Sequence, residues 1–80
     1  MGDVRAYILI NTEVGKAAHV VKKVQDIDGV DLAADLAGPY DVIVRAGSTT
    51  IDELGRVIVT RIQQIEGVTR TLSCPEMSTM

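Results

Sequence analysis

The heptapeptide VQDIDGV, Val24–Val30, returns later in the chain as IQQIEGV, Ile62–Val68. In a chain of 80 residues that spacing divides the sequence into two halves. At the same spacing Asp3-Val4 matches Asp41-Val42, and Thr12 matches Thr50. The identities are few, so the repeat establishes a shared strand–helix–strand pattern and not a common ancestor of the halves.

The first half carries that pattern in full. VRAYILIN, Val4–Asn11, is rich in β-formers and predicts a strand. Thr12 is placed to cap a helix beginning near Glu13. Val14, Ala17, Ala18, Val21 and Val24 recur at helical spacing, with Lys16, His19, Lys22, Lys23 and Gln25 off that stripe. Gly29 is a natural stop. Val30–Ala37 predicts a second strand, although its Ala and Asp are poor β-formers.

The second half repeats the order. Asp41–Ala46 predicts the third strand. Thr50 and Glu53 fit a capping box, as N-cap and N3 of a helix striped by Ile51, Leu54, Ile58, Ile62 and Ile65. Gly67 ends that helix, and Val68–Cys74 is the last strand. Pro75 cannot donate to a ladder. One domain fills 1–80, with its core in about 4–75 and a loose tail at 76–80.

The order βαββαβ defines an α+β, ferredoxin-like plait. Right-handed crossovers give a four-stranded antiparallel sheet in the order 4-1-3-2, with both helices on one face. The other face is partly apolar, because Tyr7 and Leu9 point there from the first strand and Ile43 from the third. A chain this short buries roughly 60–65% of its unfolded surface, so its own core is marginal. Burying the bare sheet face against a second copy is the expected remedy, giving a dimer or a larger ring.

Composition excludes several classes. Aromatic residues make up 2% of the chain, with two Tyr and no Phe or Trp, so the core must be aliphatic. The net charge of −3 argues against direct nucleic-acid binding, which needs clustered Lys and Arg. Cys74 is the single cysteine, so no internal disulfide forms and a reducing compartment suits the chain. No apolar run approaches about 18 residues and no signal-peptide pattern opens the chain. These features together lead to the expectation of a cytoplasmic protein without membrane contact.

Nothing in the sequence points to an enzyme. His19 is the only histidine and lies among lysines beside the apolar stripe. No Cys-x-x-Cys or His/Cys cluster offers a metal site, and no Gly-rich phosphate loop is present, so no cofactor is expected. Cys74 lacks a base partner and reads as a small buried strand residue. The carboxylate pairs Asp26/Asp28 and Asp52/Glu53 lie at helix ends, where capping and the helix dipole account for them.

Subtracting rival plaits leaves a binding module. An RNA-recognition motif stacks bases on strand aromatics that this chain lacks. A copper-chaperone-like domain needs Cys-x-x-Cys where Asn11–Gly15 stands, and an acylphosphatase-like enzyme needs an arginine there. The best candidate site is Gly38-Pro39-Tyr40-Asp41, the turn between the second and third strands, with Pro39 at its first central position. Its Tyr40 and Asp41 amides suit a carboxylate. Asp41 and Asp35 suit an ammonium, and Tyr40 offers an apolar wall with a polar tip. Those are the needs of a free amino acid. Gly, Pro and Asp are also ordinary turn residues for conformational reasons alone.

The sequence VRAYILINTE, then IDGV after the first helix, AGPYDVIVRA, and IDELGRVI followed by IQQIEGVTRTLS together resemble the Lrp/AsnC ligand-binding domain, or RAM domain. The similarity spans about Val4 to Pro75 and rests on the order and spacing of these segments. The resemblance implies a ferredoxin-like domain that dimerises through its sheets and assembles into octamers. It implies an amino-acid effector held between neighbouring dimers near the turn. Carried over, the glycine falls on Gly38, the aromatic on Tyr40 and the acid on Asp41. Further contacts fall near Ile51 and near Ser73 or Cys74. Full regulators of this kind carry an N-terminal helix-turn-helix domain. Here the first strand opens about three residues from Met1, so a stand-alone domain is expected. Such a domain would modulate transcription or metabolism indirectly, and it could associate with full-length regulators through the same sheet face.

Two other readings remain open. An ACT-like domain binds amino acids beside a glycine near the start of the first helix, where Gly15 stands, but NTEVG lacks the usual acid and proline before it. A dimerisation module with no ligand is the other. A cofactor-independent monooxygenase of similar fold is disfavoured by the scarcity of His, Trp and Phe.

Overall fold

The computed structural model describes residues 4–76. Strand β1 (Val4–Thr12) leads to helix α1 (Ala17–Val24) and strand β2 (Val30–Asp35). Strand β3 (Val42–Ser48) leads to the second helix (51–63) and strand β4 (Val68–Pro75). The sheet is antiparallel in the order β2-β3-β1-β4, as the repeat and the handedness rule predict. Among the described residues no helix is long and apolar enough to cross a membrane.

Period-two alternation decides which face is buried. The register pairs Ala6 with Ala46, Ile8 with Val44 and Ile10 with Val42, and all six residues are buried. Val20 and Val24 of α1 and Leu54, Ile58 and Ile62 of the second helix pack with them in one aliphatic cluster. Both helices therefore cover the same sheet face.

The repeated heptapeptide is the exit turn of each helix. The Ile27 amide donates to Val24 O and the Val30 amide to Ile27 O. The same two bonds recur at the equivalent places of the second half, from Ile65 to Ile62 and from Val68 to Ile65. Gly29 and Gly67 sit at φ +97° and +102°, a left-handed conformation that favours glycine. Their surroundings are reciprocal too. A Cβ on Gly29 would lie 2.8 Å from Gly47 O and 2.9 Å from Ile58 Cδ1, on the second helix. A Cβ on Gly67 would lie 2.9 Å from Lys16 Cβ and 3.5 Å from Val20 Cγ2, on α1.

Several boundaries differ from the sequence expectation. Thr12 does not cap α1; it ends β1, and its amide is taken by Asp41. A turn closed by the Lys16 amide on Glu13 O intervenes, with Gly15 at φ +81°, so α1 starts at Ala17 without a side-chain cap. Val14 is consequently fully exposed, and the packed stripe is Ala17, Val20, Val21 and Val24. Strand β2 stops at Asp35, short of Ala37, and β3 runs on to Ser48. Strand β4 continues to Pro75, which pairs with Ala6 at the sheet edge without needing an amide proton. Of the expected loose tail, Glu76 is tied by its amide to Arg5 O (2.8 Å), and its carboxylate lies 3.7 Å from Arg45 Nη2. Residues 77–80 lie outside the described residues.

The second helix is α-helical at Ile51–Glu53, π-helical at Leu54–Val59 and α-helical again at Thr60–Gln63. Gly55 and the β-branched run Val57–Thr60 are poor helix formers, which explains the widened middle. The Thr60 hydroxyl reaches the carbonyl of Gly55 across it, at 3.5 Å. Half of the expected capping box forms. Thr50 Oγ1 accepts from the Glu53 amide at 3.0 Å, whereas Glu53 Oε1 turns outward to accept the Ser48 and Thr49 hydroxyls, each at 2.6 Å. Ile51 precedes the packed stripe and is exposed.

The helix-free face is ordered by the same register. Leu32, Arg45, Tyr7 and Cys74 form one row across the sheet, and Ala34, Ile43, Leu9 and Leu72 the next. Tyr7, Leu32 and Leu72 are exposed there. Cys74 is exposed as well, not the buried residue expected, because it faces the side of the sheet that no helix covers, on the edge strand β4.

Two measurements follow from this geometry. Gly29→Ala and Gly67→Ala should each lose about 1–3 kcal/mol in urea denaturation through the left-handed backbone alone, whereas Gly55→Ala, in open space, should gain up to about 1 kcal/mol. Bonds from the Ser48 hydroxyl, and then the Thr49 hydroxyl, hold the Glu53 carboxyl below its ordinary value of 4.5. A depressed carboxylate adds stability that is present above the unfolded pKa and fades as pH falls through the folded one. A carboxyl NMR titration should show Glu53 returning toward 4.5 in the Ser48→Ala, Thr49→Ala double variant.

Candidate functional site: the hairpin between the second and third strands

The segment joining β2 to β3, residues 36–41, is a loop and not a tight turn. The Leu36 amide closes it by donating to Asp41 O at 2.9 Å. The loop folds back over the end of β1 through three contacts. Asn11 Nδ2 donates to Pro39 O at 2.8 Å. The Asp41 amide donates to Ile10 O at 2.9 Å. Asp41 Oδ2 accepts from the Thr12 amide at 2.8 Å and from its hydroxyl at 3.4 Å.

A bulge makes this fit. Between Asn11 and Thr12 the pairing of β1 with β4 slips from Arg70 to Val68, leaving Thr69 opposite no residue. The Thr69 hydroxyl then donates to Asn11 O at 3.2 Å. Together these segments enclose an open cavity of about 520 Å³, lined by Asn11, Thr12, Pro39, Tyr40, Thr69 and Arg70. Its size suits a small ligand. Arg70 is exposed and is its only charged wall among the described residues; a guanidinium suits a carboxylate. Tyr40 is half-buried and supplies an aromatic side.

The residues named from sequence separate into three places. Asp35, Gly38, Pro39, Tyr40 and Asp41 share this end of the sheet. Ile51 lies beyond the far end of β3. Ser73 and Cys74 stand near the C-terminal end of β4, opposite Ile8 and Tyr7 of β1. One chain therefore does not bring all three groups together. The roles given to Asp41 also change. Its amide is not free for a carboxylate, and its side chain latches the loop to Thr12. Asn11, Thr12, Thr69 and Arg70, which the sequence does not single out, line the same cavity. The signal for them was topological: a sheet in which β1 lies between β3 and β4 puts their ends beside the loop.

The chain matches the family described as the Lrp/AsnC ligand binding domain over residues 5–80, and it belongs to that family. It is 24% identical over 78 residues to an uncharacterized HTH-type transcriptional regulator of Pyrococcus abyssi, covering 94% of this chain and 52% of that one. The chain spans about half the length of the curated relatives it matches. The crystal structure of FFRP-DM1 superposes with a TM-score of 0.85 at 28% identity, covering 92% of this chain and 99% of that one. The complex of the Neisseria meningitidis transcriptional regulator NMB0573 with L-Met shares the fold, with a TM-score of 0.80 at 18% identity, over 95% of this chain and 51% of that one.

The latch is testable apart from any ligand. Asp41→Ala strands the Thr12 amide and should cost about 1.5–3 kcal/mol, the worth of a hydrogen bond to a charged group. Hydrogen exchange at Thr12 should accelerate in the same variant.

Proposed function

We propose that this domain is a non-catalytic, cytoplasmic regulatory module that binds a free amino acid and self-associates, acting on transcription or metabolism indirectly. The observation that carries the reading is the cavity beside the loop in a member of the Lrp/AsnC ligand-binding family. Its charged wall, Arg70, suits an α-carboxylate. Tyr40 flanks the place where an effector side chain would lie. The L-Met complex of NMB0573 adds support by its shared fold. The cavity is shallow and open, so a neighbouring subunit is the natural lid. The separation of Ile51 from the loop agrees with a site that two subunits complete.

Self-association through the helix-free face follows from its exposed Tyr7, Leu32 and Leu72 around partly buried Leu9 and Ile43. We take the dimer as the unit and an octamer as its assembly. The same face offers a route to hetero-association with full-length HTH-type regulators. One observation favours the ligand-free alternative: the backbone amide and carboxylate of Asp41, the most polar groups of the loop, are already engaged by the fold.

A thermal-shift screen of the twenty amino acids separates the two. Binding to the folded state raises Tm by mass action. At least one amino acid should do so, and Arg70→Met and Tyr40→Ala should abolish the shift without changing the circular dichroism. No shift from any amino acid would leave the ligand-free module standing. Light scattering should give a dimer or a multiple of it, and Ile43→Glu should give a folded monomer.

A further inference from the structure

We propose that the helix-free sheet face selects its partner by charge. It fits a different plait domain whose own bare sheet presents a carboxylate at its centre, in preference to a second copy of this chain. The proposal rests on the reading that this face associates, and it names what the face associates with best. The register fixes what the face displays. Beyond the rows of Tyr7 and Leu9, it pairs Arg5 with Gly47 and Asn11 with Arg70 on the same side. At the paired positions of this face Arg5, Arg45 and Arg70 are charged and no acid stands among them. The chain as a whole has a net charge of −3, so a basic face belongs to an acidic molecule.

The three arginines differ in what answers them. Arg5 borders a hollow of about 380 Å³ at the end of the sheet opposite the hairpin loop, and Asp28, Asp31 and Glu53 share its walls. Arg70 lies on the edge strand, at the rim of the loop cavity. Arg45 is the arginine at the centre. It stands on β3 between Leu32 of β2 and Tyr7 of β1, with 29% of its side chain exposed. Its Nε is buried and has no hydrogen-bond partner among the described residues. Its Nη2 lies 3.7 Å from Glu76 Oε1, which is beyond hydrogen-bond length. A buried guanidinium donor without an acceptor is costly, and the acceptor it lacks has to come from whatever covers the face.

A second copy answers Arg45 poorly. Two-fold pairing lays the same patch on itself, so the centre of β3 and β1 meets its own counterpart. That patch consists of Arg45, Tyr7, Leu9 and Ile43, and it brings a guanidinium and apolar side chains to a guanidinium. Like charges opposed in a desolvated interface weaken it. Glu76 of a copy sits at the sheet edge, already turned toward its own Arg45. A partner with Asp or Glu in the middle of a central strand meets both needs. Its carboxylate takes a charge-assisted, two-pronged bond from Arg45, and its apolar neighbours cover Leu9, Leu32, Ile43 and Leu72.

The Arg45→Glu variant of the full chain is itself a probe with an acidic face. Mixed with isotopically labelled wild type and followed by native mass spectrometry and sedimentation equilibrium, it should form heterodimers beyond the statistical share. Their dissociation constant should be about tenfold below that of the wild-type homodimer. Raising salt from about 0.05 to 0.5 M should weaken the heterodimer and strengthen the wild-type homodimer, because screening removes an attraction from one and a repulsion from the other. Arg45→Met keeps the aliphatic stem without the charge, and it should self-associate several-fold more tightly than wild type. This arm decides the matter even if Arg45→Glu does not fold. Ile43→Glu distinguishes this proposal from the association it rests on. If Ile43→Glu breaks the dimer, while Arg45→Met and salt leave the dimer's strength unchanged, charge selection is overturned and association through the face stands. If the dimer survives Ile43→Glu, both readings are overturned. A wild type that stays monomeric but binds Arg45→Glu upholds charge selection and overturns self-association.

Discussion

Each half of this chain leaves its helix through a glycine pressed against the helix of the other half. Gly29 lies on Ile58 and Gly67 on Val20, positions that are themselves related by the spacing of the repeat. The left-handed backbone lets the chain reverse at once, and the missing Cβ lets the reversal lie flat against a helix. Both strands that follow, β2 and β4, are aimed by those two contacts to the flanks of the central pair β3-β1. The strand order, the shared core and the hollow at each end of the sheet all depend on this reciprocal clasp.

The fold was legible because several independent patterns agree on it. Alternation in Ala6-Ile8-Ile10 and Val42-Val44 set the buried face, and the Gly29/Gly67 repeat set the connections. Boundaries were less legible where a side chain had two plausible partners. Thr12 is a good N-cap by type, yet its amide found the Asp41 carboxylate in the other half of the chain. A propensity argument sees only neighbours in sequence, so it placed the start of α1 too early, near Glu13. Glu53 diverged in the same way, preferring the Ser48 and Thr49 hydroxyls to the backbone of its own cap.

The candidate site was legible only in part, for a related reason. The loop 38–41 announces itself by composition. Asn11, Thr69 and Arg70 do not, because each is an ordinary polar residue at the end of a strand. They become neighbours of Tyr40 through the strand order and through the bulge at Asn11-Thr12. Asp41 shows the converse. Its carboxylate, which suits an ammonium by type, has one oxygen, Oδ2, held by the Thr12 amide and hydroxyl. A residue type that belongs to a binding motif can therefore serve the site by shaping it.

The two ends of the sheet show how little sequence is needed to separate two hollows built on one plan. Both are framed by a helix exit, a β-strand end and a short polar segment. Placing Asp31 where its counterpart is Thr69, and supplying Glu53 from the early start of the second helix, turns one of them acidic. That early start is itself a consequence of capping: Thr50 holds the Glu53 amide, while the corresponding place in the first half has lost its cap to the hairpin latch. The same two threonines, equivalent in the repeat, thus decide the character of both ends. Thr12 uses its backbone to close the loop, and Thr50 uses its side chain to present a carboxylate.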